Sequence, residues 1–275
     1  MKNLFLFAFL FCCSTSFAQY YYTDIIGTRQ TNQQYQVIQT QKLQRIIASG
    51  FEANNEPSKD FLLEQQVNNR NQQIITRSAS IGTLETSFIS SYKDGRITRT
   101  YDSNTHVINV VEYQYDQQGK LLATHATSKD FDGTFMSTES HLWSYNAEGK
   151  PAQMLKIKNA TDTTTVTFNY DEKNNLGEEI WSRKNREIER YYYYYNAKNE
   201  LSDIARYNRK AQQLLPDYMF EYDANGRLIQ MTQTQASSAN YLIYRYAYND
   251  RGLKEKEQVY NKKKEYLGKI EYSYQ

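Results

Sequence analysis

Hydrophobic and polar positions alternate with a period of two over most of this chain, the pattern of strands with one covered and one solvated face. Leu242, Tyr244, Tyr246 and Tyr248 form an apolar and aromatic set against Ile243, Arg245 and Ala247. Thr164, Val166, Phe168 and Tyr170 oppose Thr165, Thr167 and Asn169 in the same way. In the five-tyrosine run of REIERYYYYYNAKNEL, Tyr191, Tyr193 and Tyr195 continue the aromatic face, and Tyr192 and Tyr194 are extra rings on the reverse.

The alternation is organised into a repeat. An aromatic-x-Tyr triplet recurs as Tyr113/Tyr115, Trp143/Tyr145, Phe168/Tyr170, Tyr193/Tyr195, Phe220/Tyr222, Tyr246/Tyr248 and Tyr272/Tyr274, at spacings of 25 to 30 residues. Directly after six of these tyrosines stands Asp or Asn (Asp116, Asn146, Asp171, Asn196, Asp223, Asn249). Three residues further stands Gly or Asn (Gly119, Gly149, Asn174, Asn199, Gly226, Gly252). An Asx side chain opening a type I turn accepts backbone N–H groups just ahead, and a Gly or Asn takes the positive φ that rejoins the second strand through a bulge. Asp116, Gly119, Gly149, Asp223, Gly226 and Gly252 are therefore read as structural turn residues.

Each unit is a strand, a tight turn and a second strand, running on to a polar turn near Asp130–Gly133, residues 184–186, 208–210, 236–238 or 261–264. Copies from about Ser87 to the last residue give about fourteen strands, and at ~20° of twist per pair such a sheet must curl. The expected fold is all-β: a curled antiparallel sheet of consecutive hairpins over residues 87–275, behind an N-terminal cap formed by residues 19–86. In that cap, Thr28 to Lys42 reads as a short helix capped by Thr28, with Tyr35 and Ile38 on one side. Lys42 to Ala53, Phe61 to Val67 and Ile74 to Ser80 read as strands.

YQYDQQGKL (113–121) and FEYDANGRL (220–228) resemble the tyrosine-aspartate (YD) repeat of the RHS proteins, found in polymorphic toxins, insecticidal toxin complexes and teneurins. The resemblance covers about residues 90 to 275. It implies a continuous antiparallel sheet that spirals into a shell and an association with carbohydrate. The period here is a few residues longer than the family's usual unit, and the toxin role finds no support in these residues.

The first residues, MKNLFLFAFLFCCSTSFAQ, have a basic start, an apolar stretch and Ser16-Phe17-Ala18 as a small-x-small site, so residues 1–18 read as an export signal cleaved after Ala18. Both cysteines, Cys12 and Cys13, fall inside it, leaving a mature chain with neither disulfide nor thiolate. A lipid anchor on one of them is the alternative. The expected location is exported: periplasmic, outer-membrane-associated or secreted, without a transmembrane segment. Tyr is 26 of 275 residues while Pro is 3, so what must be covered is aromatic rather than aliphatic. A net charge of +2 is too mild for nucleic-acid binding.

Rings with interleaved Asn, Gln, Arg and Lys suit stacking on a sugar polymer, which makes Trp143, Tyr145, Tyr193, Tyr195, Tyr222, Tyr246 and Tyr248 candidate ligand-binding residues. The expected function is a non-catalytic scaffold for an envelope or extracellular glycan, with a protein partner as the alternative. No catalytic residues, cofactor or metal are assigned, and the oligomeric state is left open. The histidines are His106, His125 and His141. The last two flank the turn around Asp132, where a hairpin could bring them together with Glu139, the minimum for a zinc site. Two histidines on adjacent strands without ligand spacing is the favoured reading.

Overall fold

The computed structural model describes residues 20–59, 61–80, 85–103, 106–208, 211–234 and 240–275. The export signal, both cysteines and the turn at 236–238 lie outside these, as do residues 209–210 of another turn. A π-helical segment, Tyr21–Gly27, runs directly into α1, Thr28–Thr40. The helix therefore has no side-chain cap at Thr28, which is buried with Tyr35 and Ile38.

Eighteen strands follow among the described residues. β1 (Arg45–Glu52), β2 (Leu62–Asn68) and β3 (Gln73–Ala79) come from the region without repeats. β4 (Thr86–Lys93), β5 (Arg96–Ser103), β6 (Val107–Tyr115), β7 (Leu121–Asp130), β8 (Met136–Tyr145), β9 (Pro151–Lys158), β10 (Asp162–Tyr170) and β11 (Leu176–Arg183) continue the chain. β12 (Arg186–Tyr195), β13 (Leu201–Asn208), β14 (Gln213–Tyr222), β15 (Leu228–Thr234), β16 (Tyr241–Tyr248), β17 (Lys254–Asn261) and β18 (Tyr266–Tyr274) complete it.

All belong to one sheet in which sequence neighbours pair, and β1 pairs with both β2 and β18. Arg45 and Gln275 exchange both main-chain bonds, N–H to O at 3.1 and 2.9 Å, as an antiparallel pair does. On its other side Gln44 accepts the N–H of Val67 at 2.9 Å. The expectation of a curled sheet behind a separate cap is corrected: β1 to β3 are members of the same sheet, and β1 pairs with β2 and with β18. The physical reason is that an exposed first edge leaves a row of unpaired N–H and C=O groups, which a last strand satisfies.

Two compact units divide the chain, one of residues 47–62 and 191–273, the other, among described residues, of 20–46, 63–190 and 274–275. In the second, Trp143, Met154, Val166, Phe168, Leu176 and Trp181 are buried, α1 packs near β5, and its Tyr35 ring stacks on that of Tyr92 in β4 at 3.8 Å. In the first, Tyr191, Tyr193, Ile204, Phe220, Met231, Tyr244 and Ile270 form the core.

The repeat columns have one geometry. The pairing register shifts just before Tyr115, Tyr145, Tyr170, Tyr195, Tyr222 and Tyr248, a bulge in the same place in each copy. The Asp223 carboxylate accepts the N–H of Asn225 and of Arg227, and Gly226 behind it has φ +75°. Asn174 and Asn199 take the same positive φ without glycine. The tyrosine hydroxyl then reaches back one repeat: Tyr145 donates to the carbonyl of Leu121 at 2.6 Å, Tyr170 to Pro151 at 2.7 Å, Tyr222 to Leu201 at 2.9 Å and Tyr248 to Leu228 at 2.7 Å. A phenylalanine would fill the space and omit the bond.

Replacing Tyr222 by Phe is expected to cost about 1 kcal/mol in a urea titration, the ordinary value of one such bond. The exposed Tyr207, changed to Phe, should move the midpoint by less than about 0.5 kcal/mol.

Candidate functional site

Within the unit of residues 20–46 and 63–190, the helical start of the described chain meets β8 to β11 in the densest polar cluster on the buried face. The β7–β8 register pairs Thr124 with His141 and His125 with Ser140, so the two histidines lie on opposite faces. His125 Nδ1 contacts Ser140 Oγ at 3.0 Å, while His141 is buried. The juxtaposition required for a zinc pair is absent, and no group of three or more metal-ligating side chains occurs among the described residues.

His141 is instead clamped by two carboxylates. Its Nδ1 lies 2.6 Å from Asp24 Oδ2 and its Nε2 3.0 Å from Glu139 Oε1. Trp143 Nε1 donates to the same Asp24 oxygen at 3.2 Å, and Lys156 Nζ holds the other Glu139 oxygen at 2.9 Å. Burial opposes the charge on the imidazole, but the charge and hydrogen bond of Asp24, with those of Glu139, outweigh it and raise its pKa to about 9. Burial likewise pushes Glu139 upward, and its bonds to His141 and Lys156 bring it down to about 2.

An imidazolium whose two nitrogens both serve carboxylates has no lone pair to offer as a general base. What the arrangement does is fasten a segment. Tyr20 stacks on Trp181 at 4.4 Å and lies 4.5 Å from the His141 ring, with Lys156 Nζ 4.8 Å from its centroid. Its backbone N–H donates to Glu179 Oε1 at 3.0 Å, that of Tyr21 to Oε2 at 3.3 Å, and Trp181 Nε1 to Oε1 at 2.7 Å. Glu179 is thus a wholly buried carboxylate bound to the N–H groups that open the π-helical segment.

The sequence candidates are dispersed along the sheet. Trp143 and Tyr193 are buried, Trp143 stacking on Phe168 at 5.3 Å. Tyr145, Tyr222 and Tyr248 hold carbonyls of the preceding copy, with burial raising the hydroxyl pKa of each, that of Tyr222 to about 12. Tyr195 and Tyr246 are half-buried. Asp24, Glu179, Lys156 and Tyr20 were missed. The one signal for Glu179 was an acid in a column of the repeat that is uncharged in four of its six copies.

The reverse face is different. Opposed residues share a face, so the registers align Tyr194, Asp203, Met219, Thr232, Ile243 and Tyr260 in one row across β12 to β17. A second row runs Glu221, Gln230, Arg245, Gln258 and Lys269. Gln230 donates to Glu221, and Arg245 Nε donates to Gln230 Oε1 at 2.9 Å. Tyr194 is 44% exposed in the first row.

No family model and no curated protein matches this chain. Among solved structures it is similar to a porin-like protein from Bacteroides uniformis, with 13% identity and a TM-score of 0.43 over 85% of this chain and 98% of that one. It is also similar to the Tc holotoxin pore of Photorhabdus luminescens, with 14% identity and a TM-score of 0.36 over 76% of this chain and 12% of that one. A TcdB2–TccC3 structure gives 14% identity and a TM-score of 0.36 over 82% of this chain and 13% of that one. No helix among the described residues is long and apolar enough to cross a membrane. On one face of β10 to β12 Asn169, Glu178 and Arg190 are joined at 2.8 and 2.9 Å.

The clamp has a pH signature. A histidine whose pKa is higher in the folded chain contributes stability that is complete below the unfolded value of 6.5 and lost as pH rises through about 9. The chain has 2 tryptophans, Trp143 and Trp181, and both touch this cluster. Tryptophan emission should therefore change with a midpoint near pH 9, and His141→Gln should abolish that transition while leaving the tyrosine absorbance titration in place.

Proposed function

We propose that this chain is an exported, non-catalytic YD-repeat-like scaffold that binds an extended glycan on the face of β12 to β17 that carries the exposed Tyr194, Met219 and Arg245. The observation that carries this reading is the paired rows. Tyr194 stands 44% exposed beside Asp203 and Met219, and the next row offers amide, guanidinium and carboxylate groups at the strand spacing of about 4.8 Å. Aromatic faces that stack on sugar C–H groups and planar polar side chains that exchange hydrogen bonds with hydroxyls are the two requirements of such a surface. The buried repeat rings supply the sheet behind it, so the ligand role moves from Tyr193 to its neighbours Tyr192 and Tyr194. Weak contacts repeated along a polymer add through effective concentration.

A protein partner is the second reading, and a separate observation favours it. The β7–β8 turn exposes Phe131, Phe135 and Met136 at 58%, 53% and 66%, an apolar tip of the kind that anchors interfaces.

The test is retention of residues 19–275 on immobilised bacterial and host glycans. Tyr194→Ala should lower retention about tenfold at unchanged urea midpoint, as loss of one stacking ring does. Retention unaffected by Tyr194→Ala but lost from an envelope-protein pull-down by Phe135→Ser would replace the glycan reading with the protein one.

A further inference from the structure

Nine residues after each repeat tyrosine, in the middle of the following strand, the side chain is buried in all six copies: Thr124, Met154, Glu179, Ile204, Met231 and Glu257. A carboxylate stands in this column twice, and the two are served differently. Glu179 receives N–H donors from Tyr20, Tyr21 and Trp181. Glu257 is 1% exposed, its Oε2 takes the ammonium of Lys254 at 3.2 Å, and its Oε1 has no hydrogen-bond partner. An acceptor left open in the interior is costly, and the apolar residues of the other copies show that the fold does not require one.

The ammonium held there has a particular setting. Lys254 Nζ lies 4.6 Å from the ring centroid of Tyr246 and 5.7 Å from that of Tyr272, both in the unit that contains Glu257. The Lys254 side chain is 34% exposed, so the site opens to solvent along the lysine stem. Lys150, over the Tyr170 ring, pairs instead with Glu148, an acid 68% exposed. Two ring faces and a buried carboxylate around one cationic nitrogen are the chemistry by which proteins hold alkylammonium groups. The charge of Glu257 is felt by its neighbours: burial, and then this carboxylate, push the Tyr244 hydroxyl up to about 12.

We propose that Glu257, Tyr246 and Tyr272 form a binding site for the primary alkylammonium group of an external ligand, occupied in this structure by the side chain of Lys254. A primary ammonium has three N–H donors, enough to serve both Glu257 oxygens, whereas the tethered lysine reaches one. Lys254 competes at the high local concentration of an intramolecular group, so the ligand binds by displacing it. The site is independent of the glycan face.

The test is isothermal titration of residues 19–275 with n-butylammonium, against n-butanol as the neutral control. Saturable binding of the ammonium but not of the alcohol is expected, about tenfold tighter in Lys254→Ala, where the competitor is gone, and lost in Glu257→Gln. Should Glu257→Gln fail to fold by circular dichroism, Tyr272→Leu takes its place and is expected to weaken binding several-fold. Absence of saturable binding to the unaltered chain, even with binding to Lys254→Ala, overturns the proposal by making Lys254 a permanent occupant. Equal binding of n-butanol overturns it as well.

Discussion

Every strand of this protein depends on its two edges being paired, and the exchange of main-chain bonds between Arg45 and Gln275 is where that requirement is met last. Without it β1 and β18 would each present a row of free donors and acceptors, the kind of edge that draws other strands. The repeats supply the same protection between copies. Behind the bulges at Tyr145, Tyr170, Tyr222 and Tyr248 the hydroxyl meets the carbonyl one copy back, and the Asx carboxylate or amide satisfies the turn ahead. Tyrosine is abundant because one side chain fills the core and closes a backbone acceptor.

The helical segment before α1 is held by charge rather than by the repeat. His141 stands between Asp24 and Glu139, Glu139 between His141 and Lys156, and Glu179 beneath the first N–H groups of the segment. These are buried charges in alternating sign, each compensated by hydrogen bonds, the condition under which such charges are tolerated. Removing one member leaves the others in low dielectric without compensation, so the cluster acts as a unit. The same logic separates Glu179 from Glu257, two acids in one column with unequal partners.

The turn, bulge and strand pattern was legible because Asx, Gly and Tyr recur at fixed offsets and each offset has a backbone reason. Tyr35 and Ile38 were legible as the buried side of α1 by helical period. Closure was not, because β1 carries no repeat residue and its partner lies at the opposite end of the sequence, where no local pattern points. Whether the hairpin brings His125 and His141 together depends on its register, which residue spacing alone does not fix. The observed register pairs 124 with 141, and a shift of one residue separates faces. Asp24 had no marker at all, since its role arises from a contact 117 residues away. Of the candidate ligand rings, Trp143 and Tyr193 are buried and the other five half-buried, because alternation tells which residues share a face and not which face water reaches.

Closure also orders events in time. β4 to β18 form hairpins between sequence neighbours, contacts that cost little loop entropy and arise early. The pairing of β1 with β18 joins segments separated by nearly the whole chain and is the slowest to be found. Until it is, β1 is a finished strand with one side unsatisfied, made first and completed last. Until β18 is made, the unpaired side of β1 is an adhesive edge that has to be shielded.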